Sequence, residues 1–466
     1  MNFSRRIATL PALLLAACGV LAACTSSTSG VMPHPAPTST SGPAPVGNYI
    51  KHVVVIVQEN RSFENMFAGW PGADAPLTGK TSTGRTIALR SEPFSNVDIC
   101  HIWSDAMTAW DNGKMDGFDK EGDGSCVGPI VPSWWPYTYL DHRQIAPYRL
   151  MASRYVLAYH MFPTEFGTSL TAHQALIAGT TRVTSTTSLV NVPSAMPWGC
   201  DAPPGTTTQL VTDKRVVLSQ QSHPGPFPCM TTYPTMADVL DAAHQSWKYY
   251  APPLQTPGGQ EWTGFDAIAK VRCASFKAPQ TCLGTGSDWK NVVTPETQAL
   301  KDFTKGDLPA VSWVIPDLLW ADYPAVSFDY VPSWVGDLVN AIGKSKDWNS
   351  TAIVILWDDW GGWYDNAPPP QLDYEGLAIR VPCIIVSPYA KHGYVDSTQY
   401  EYGSILKFVE QAFNLGSLHT TDERAASLVN AFDFTQKPRA FTAIPTKYPP
   451  SFFYNSPQSV RPPDND

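Results

Sequence analysis

The chain has 466 residues, 43% of them hydrophobic and 16% charged. That apolar content excludes wholesale disorder, and the length suits one large α/β domain with insertions, or two domains. A net charge of −9 excludes a protein that grips nucleic acid with a basic face, but leaves room for a phosphorylated substrate whose charge is met by a bound cation.

Residues 1–23 read as an export leader of the lipoprotein type. Arg5 and Arg6 form a short basic region, Ile7 to Ala23 is almost wholly apolar, and Leu21-Ala22-Ala23-Cys24 has the form of a lipobox. Leu15-Ala16-Ala17-Cys18 has the same form, but Cys24 is preferred because the polar linker starts directly after it. An ordinary secretory signal with incidental cysteines is the alternative. Residues 24–48, rich in Ser, Thr, Pro and Gly, read as a flexible tether. The protein is therefore expected to be exported and held on the bacterial envelope by a lipid, or secreted if it is not lipidated. No later stretch is long and apolar enough to span a bilayer.

Export permits disulfides. Cys273 and Cys282 are close in sequence and are expected to pair. Cys200 with Cys229 could staple a Pro- and Thr-rich insertion, and Cys100 with Cys126 could close a third loop. Cys383, inside the apolar run Val381 to Val386, reads as a buried free thiol.

Structure is expected to begin near His52. The runs His52 to Val57, Tyr155 to Phe162, Ala310 to Ile315, Thr351 to Trp357 and Val381 to Ser387 read as buried strands. Between them, Met236 to Ser246, Pro295 to Thr304, Ser333 to Lys344 and Tyr402 to Asn414 carry helical apolar spacing. Such alternation predicts a mostly parallel sheet with helices on both faces. The domain is placed at 49–435, with a cap-like insertion near 183–233 and a Pro- and aromatic-rich wrap at 436–466.

Ligands of open α/β sheets bind beyond the carboxyl ends of the strands. There the sequence supplies Glu59-Asn60 after one strand, Glu165 to Ser169 after another, and Asp358-Asp359-Trp360-Gly361-Gly362 after a third. Each alone is ordinary turn chemistry. Together they put carboxylates, an amide and hydroxyls at one edge, a donor set for a divalent cation. Ser169 opens a helical stretch, where it serves either as an N-cap or, beside a cation, as a nucleophile facing a phosphate at the helix N-terminus. His173, one turn later, reads equally well as a core or capping residue.

With these motifs assembled, the chain resembles the bacterial phosphoesterase family that contains phospholipases C and related acid phosphatases. The carrying motifs are His52 to Phe63, Asn112 to Phe118, Gly167 to Thr180 and Trp357 to Asp365, supported by Val381 to Lys391 and Gly403 to Glu410. The resemblance implies an alkaline-phosphatase-like α/β fold and a metal ion held by Glu59, Asn60, Ser169, Asp358 and Asp359. It puts Ser169 in the nucleophile position and His101 and Lys114 where phosphate-facing groups are kept. Three positions depart from the family pattern. Asp322-Tyr323-Pro324 stands for Asp-His-Pro, Asn366 follows Tyr364-Asp365 where a histidine is usual, and Tyr400 stands near another. Tyr323 matters most, because a tyrosine releases its proton far less readily than a histidine.

The expected function is metal-dependent hydrolysis of phosphate mono- or diesters, phospholipids among them, through a phosphoseryl intermediate on Ser169, with His101, Lys114, Asp322 and Tyr323 around the phosphate. The alternative is a non-catalytic surface protein that binds lipid or carbohydrate on a degenerate form of the same fold.

Overall fold

The computed structural model describes residues 45–94, 97–277, 280–326 and 328–461. The leader, Cys18, Cys24 and nearly all of the tether lie outside them.

Eight strands form the main sheet: β1 His52–Gln58, β2 Val156–Ala158, β3 Trp247–Tyr250, β4 Val292–Val293, β5 Val311–Val314, β6 Thr351–Trp357, β7 Cys383–Val386 and β8 Tyr394–Asp396. Their order is β4-β3-β5-β1-β6-β7-β2-β8, and every pairing is parallel except those made by β7. All seven residues of β6 are buried, as are the last six of β1. Successive side chains point to opposite faces, so burial of every one means that both faces are covered.

The covering helices form two groups, each packed within itself. One holds α1 Ala146–Arg154, α4 Gln298–Lys305 and α5 Val331–Lys344; the other holds α2 Ser169–Ala178, α3 Met236–Ala242 and α6 Tyr402–Phe413. Every residue of α2 is buried, so this helix runs inside the molecule. The mostly parallel α/β architecture expected from the sequence is present. No helix among the described residues is long and apolar enough to cross a membrane.

Two expected elements differ in extent. Tyr155 to Phe162 is not one strand: after β2 the chain turns, and Met161–Phe162 pairs with Tyr400–Glu401 outside the main sheet. The helix from Met236 stops at Ala242, because His244 adopts a left-handed backbone at φ 54°. The insertion builds a three-stranded antiparallel sheet from Arg182–Thr184, Thr187–Pro193 and Thr208–Thr212. The C-terminal segment hydrogen-bonds along α5, where Asn340 and the Ile444 backbone exchange two bonds of 2.8 Å. The three expected disulfides are present, and Cys383 is a buried free thiol.

Candidate metal and phosphate site

The site begins with strand register. β1 and β6 are adjacent and parallel with Gln58 opposite Trp357, so both strands end at the same level. The next two residues of each, Glu59-Asn60 and Asp358-Asp359, leave the sheet side by side although about 300 positions separate them in sequence. The Asn60 N–H donates to Asp358 Oδ1 at 2.9 Å. Asn60 is left-handed at φ 58°, a conformation asparagine tolerates. On the other strand the Gly361 N–H donates to Asp359 Oδ1 at 2.9 Å. Gly361 has φ 59°, and a Cβ there would meet the Asn60 carbonyl oxygen at 2.1 Å, so only glycine fits this turn. Tyr402, at the start of α6, donates its hydroxyl to the Trp357 carbonyl at 2.8 Å and ties the end of β6 down.

α2 delivers the other two groups. Its N-cap is Thr168, not Ser169. Ser169 is the first helical residue, fully buried, and its Oγ donates to Asp359 Oδ2 at 3.5 Å. His173 lies four residues on, on the same helix face, with Nε2 3.1 Å from Glu59 Oε1. Glu59, His173 and Asp358 each present a ligating atom, all three within 4.8 Å of one another.

Asp358 Oδ2 is buried with no hydrogen-bond partner. Burial first, and the Glu59 charge second, push the Asp358 carboxyl well above the usual carboxylate range. A divalent cation would satisfy that orphaned oxygen and reverse the crowding of charge, and the oxygen-rich set with one imidazole fits such an ion.

His101 is fully buried, with Nδ1 2.8 Å from the Ile99 carbonyl and Nε2 2.8 Å from the Asn60 side-chain amide. The carbonyl can only accept, so Nδ1 carries a proton and the neutral ring offers Nε2 as acceptor to the amide. Turning the amide over points its nitrogen at Glu59 Oε2, 3.2 Å, and Asp358 Oδ1, 3.1 Å, with its oxygen on Nε2. That arrangement requires both ring nitrogens protonated. Asn60 thus links the proton state of His101 to the carboxylates. His101 Nε2 is also 3.9 Å from Asp359 Oδ2.

Asp322 and Tyr323 form a neighbouring buried group. Asp322, left-handed at φ 66°, accepts the Tyr148 hydroxyl on Oδ2 at 2.7 Å and Arg61 Nε on its carbonyl at 2.9 Å. Burial raises its carboxyl to about 7. The Tyr323 hydroxyl donates to Asp98 Oδ2 at 3.3 Å. The other two departures are also engaged. The Asn366 amide donates to Asp74 at 2.9 Å and accepts from Arg380 at 2.8 Å, and the Tyr400 hydroxyl donates to Asp396 at 2.8 Å.

Glu59, Asn60, His101, Ser169, Asp358 and Asp359 thus converge. Lys114 does not join them. It lies on the turn after Trp103–Trp110, its ammonium is exposed, and it reaches back to Asp111 at 2.7 Å. The sequence leaves His173 undecided and does not single out Arg61, which is buried with its guanidinium 5.0 Å from the Trp363 ring centroid. The spacing of His173 from Ser169 held the available signal, since i and i+4 share a helix face. Arg61 carried none beyond its place in the motif after β1.

Fold and site together define the class: an α/β protein with a buried carboxylate and histidine centre at the carboxyl edge of a mostly parallel sheet. The chain belongs to the Phosphoesterase family, whose profile matches residues 50–416. It is 25% identical over 446 residues to a non-hemolytic phospholipase C of Pseudomonas aeruginosa, covering 83% of this chain and 57% of that protein. It is 24% identical to phospholipase C A of Mycobacterium tuberculosis, covering 84% and 78%. Among solved structures, a Vibrio parahaemolyticus protein of the alkaline phosphatase superfamily is similar at 12% identity and a TM-score of 0.36, covering 82% of this chain and 72% of that one.

Proposed function

We propose that this protein is an exported, metal-dependent hydrolase of phosphoric ester bonds, phospholipase C-like, with Ser169 as nucleophile. The observation that carries the reading is the approach of the Ser169 hydroxyl, at a helix N-terminus, to Asp359 beside the Glu59, His173 and Asp358 cluster. Family membership and phospholipase C relatives support the ester class. Three disulfides support export.

Glu59, Asp358, Asp359, Asn60 and His173 are the residues that would hold the cation, which when bound supplies positive charge to the phosphate and acidifies the serine hydroxyl. Ser169 Oγ attacks phosphorus, its proton passing to Asp359 Oδ2. The new Oγ–P bond forms as the ester P–O bond breaks, and the proton taken up by Asp359 passes to the leaving alcohol. Water then cleaves the Oγ–P bond and restores Ser169. The free N–H groups of the first turn of α2 face the phosphate oxygens. His101 is the imidazole at hand where the family's usual histidine is replaced by Tyr323.

The test is steady-state hydrolysis of a chromogenic aryl phosphate and an aryl phosphodiester by metal-replete protein. Ser169→Ala is expected to lower turnover by roughly 10⁴-fold at matched metal content. A mutant with wild-type turnover overturns the nucleophile. A wild type inert with every metal and ester favours the binding-protein alternative.

A further inference from the structure

The mechanism leaves unused a strap of chain from Glu121 to Trp135. Its first half is a tight antiparallel turn. Gly122 bridges to Pro129, the Asp123 N–H donates to the Gly128 carbonyl at 2.8 Å, and the Ile130 N–H donates to the Glu121 carbonyl at 2.9 Å. Val127 lies at the tip and is 91% exposed; Val131, just beyond, is 77% exposed. Among the described residues, only Val460 near the chain end is a large apolar side chain as open as these. One exposed valine is unremarkable. Two on one strap, in the setting below, are not.

The strap is fixed to the site at its base. Cys126 is bonded to Cys100, the residue before His101. Buried Ile130 packs with Ile99, whose carbonyl holds His101, and with Trp363 of the motif that follows β6. Three and four residues after Val131, the Trp134 and Trp135 rings lie 4.9 Å apart, and the Arg90 guanidinium stands 4.1 Å from the Trp134 centroid. Arg85, Arg90 and Trp134 line a groove of about 700 Å³. An apolar tip, an aromatic pair and a guanidinium are the kinds of group that a membrane surface takes into its hydrocarbon, its interface and its phosphate headgroups.

We propose that this strap inserts Val127 and Val131 into a zwitterionic phospholipid bilayer and so docks the site against its substrate. The proposal rests on the phosphoesterase reading above and deepens it by naming the physical form of the substrate. A bilayer is favoured over a protein partner because Val127 is a single apolar side chain at the tip of a tight turn, a shape that offers a protein little contact area. A zwitterionic surface is favoured because Asp123 stands at the same turn and the chain carries −9 overall, both of which oppose an anionic membrane.

The experiment uses the full chain in a C18S/C24S background, so that no lipid anchor interferes and, among the described residues, the remaining free thiol, Cys383, is buried. An environment-sensitive fluorophore is placed at V127C and, as a control on another exposed apolar residue, at L283C. Phosphatidylcholine vesicles are expected to blue-shift the first label only, and raised salt is expected to leave the shift unchanged. V127D/V131D is expected to lower hydrolysis of vesicular phosphatidylcholine at least about 10-fold while aryl phosphate turnover stays within about 2-fold. A V127C label blind to vesicles, or one that shifts with protein concentration alone because a second copy covers it, overturns the proposal. If no ester is turned over, the phosphoesterase reading fails, and the label still decides whether the strap enters lipid.

Discussion

At Ser169 the hydroxyl is relieved of the capping role because Thr168 occupies the N-cap position. Ser169→Ala is therefore expected to cost less stability than the loss of a cap, about 0.5–2 kcal/mol, so its loss of turnover reports chemistry. Four residues after Ser169, His173 faces Glu59 at 3.1 Å. His173→Gln keeps a polar side chain of similar reach and removes the imidazole nitrogen. It is expected to weaken metal affinity about 10–100-fold with the fold intact, measured by metal titration alongside circular dichroism. Unchanged affinity would make His173 a core residue. The tyrosine and asparagine departures from the family pattern are each hydrogen-bonded, so each of these side chains is satisfied where it stands.

At the scale of elements, the site depends on segments with no regular secondary structure being held still. His101 is carried by such a segment, and its fixed points are the Ile99 carbonyl and the Cys100–Cys126 bond across 26 residues. C100S/C126S is expected to lose about 3–4 kcal/mol of stability from the freed loop. It is also expected to lower kcat more than it raises KM, because His101 loses its position while the carboxylates on β1 and β6 keep theirs. Thermal melts and steady-state kinetics on the same preparations check both. A variant with lower Tm but unchanged kcat would confine the bond to stability. The carboxylates are steadier because β1 and β6 are central, buried strands whose register leaves no freedom to slip without turning the apolar faces outward.

Over the whole molecule, burial of ionisable groups sets the pH dependence of stability. Glu296, between β4 and α4, is buried and accepts from Gln458 Nε2 at 3.1 Å, tying the C-terminal segment to the core. Burial raises its carboxyl from the ordinary value of 4.5 to about 8. Between those values the folded chain keeps the proton that the unfolded chain has released. Stability from this group is therefore full below pH 4.5 and falls as pH rises to about 8. Glu296→Gln removes the titration, so denaturation at a series of pH values is expected to show the variant gaining on the parent across that window. A constant difference would mean that Glu296 titrates normally.

The sequence by itself determined the central strands, the Cys273–Cys282 pairing, the buried thiol and the carboxylate pairs at strand ends. These are local: β-branched runs, short loop spacings and polar residues that stop an apolar run can be read in a window of ten or so positions. Only the tertiary structure decided which of those groups meet. Register between β1 and β6 brought Glu59 and Asp358 together across about 300 positions, and the pitch of α2 added His173 to them. The same structure left Lys114 outside, because a short turn satisfied it with Asp111 before it could reach the site. It also put Val127 and Val131 in the open, which composition could not foretell, since an apolar residue is buried or exposed by what packs over it rather than by its own chemistry.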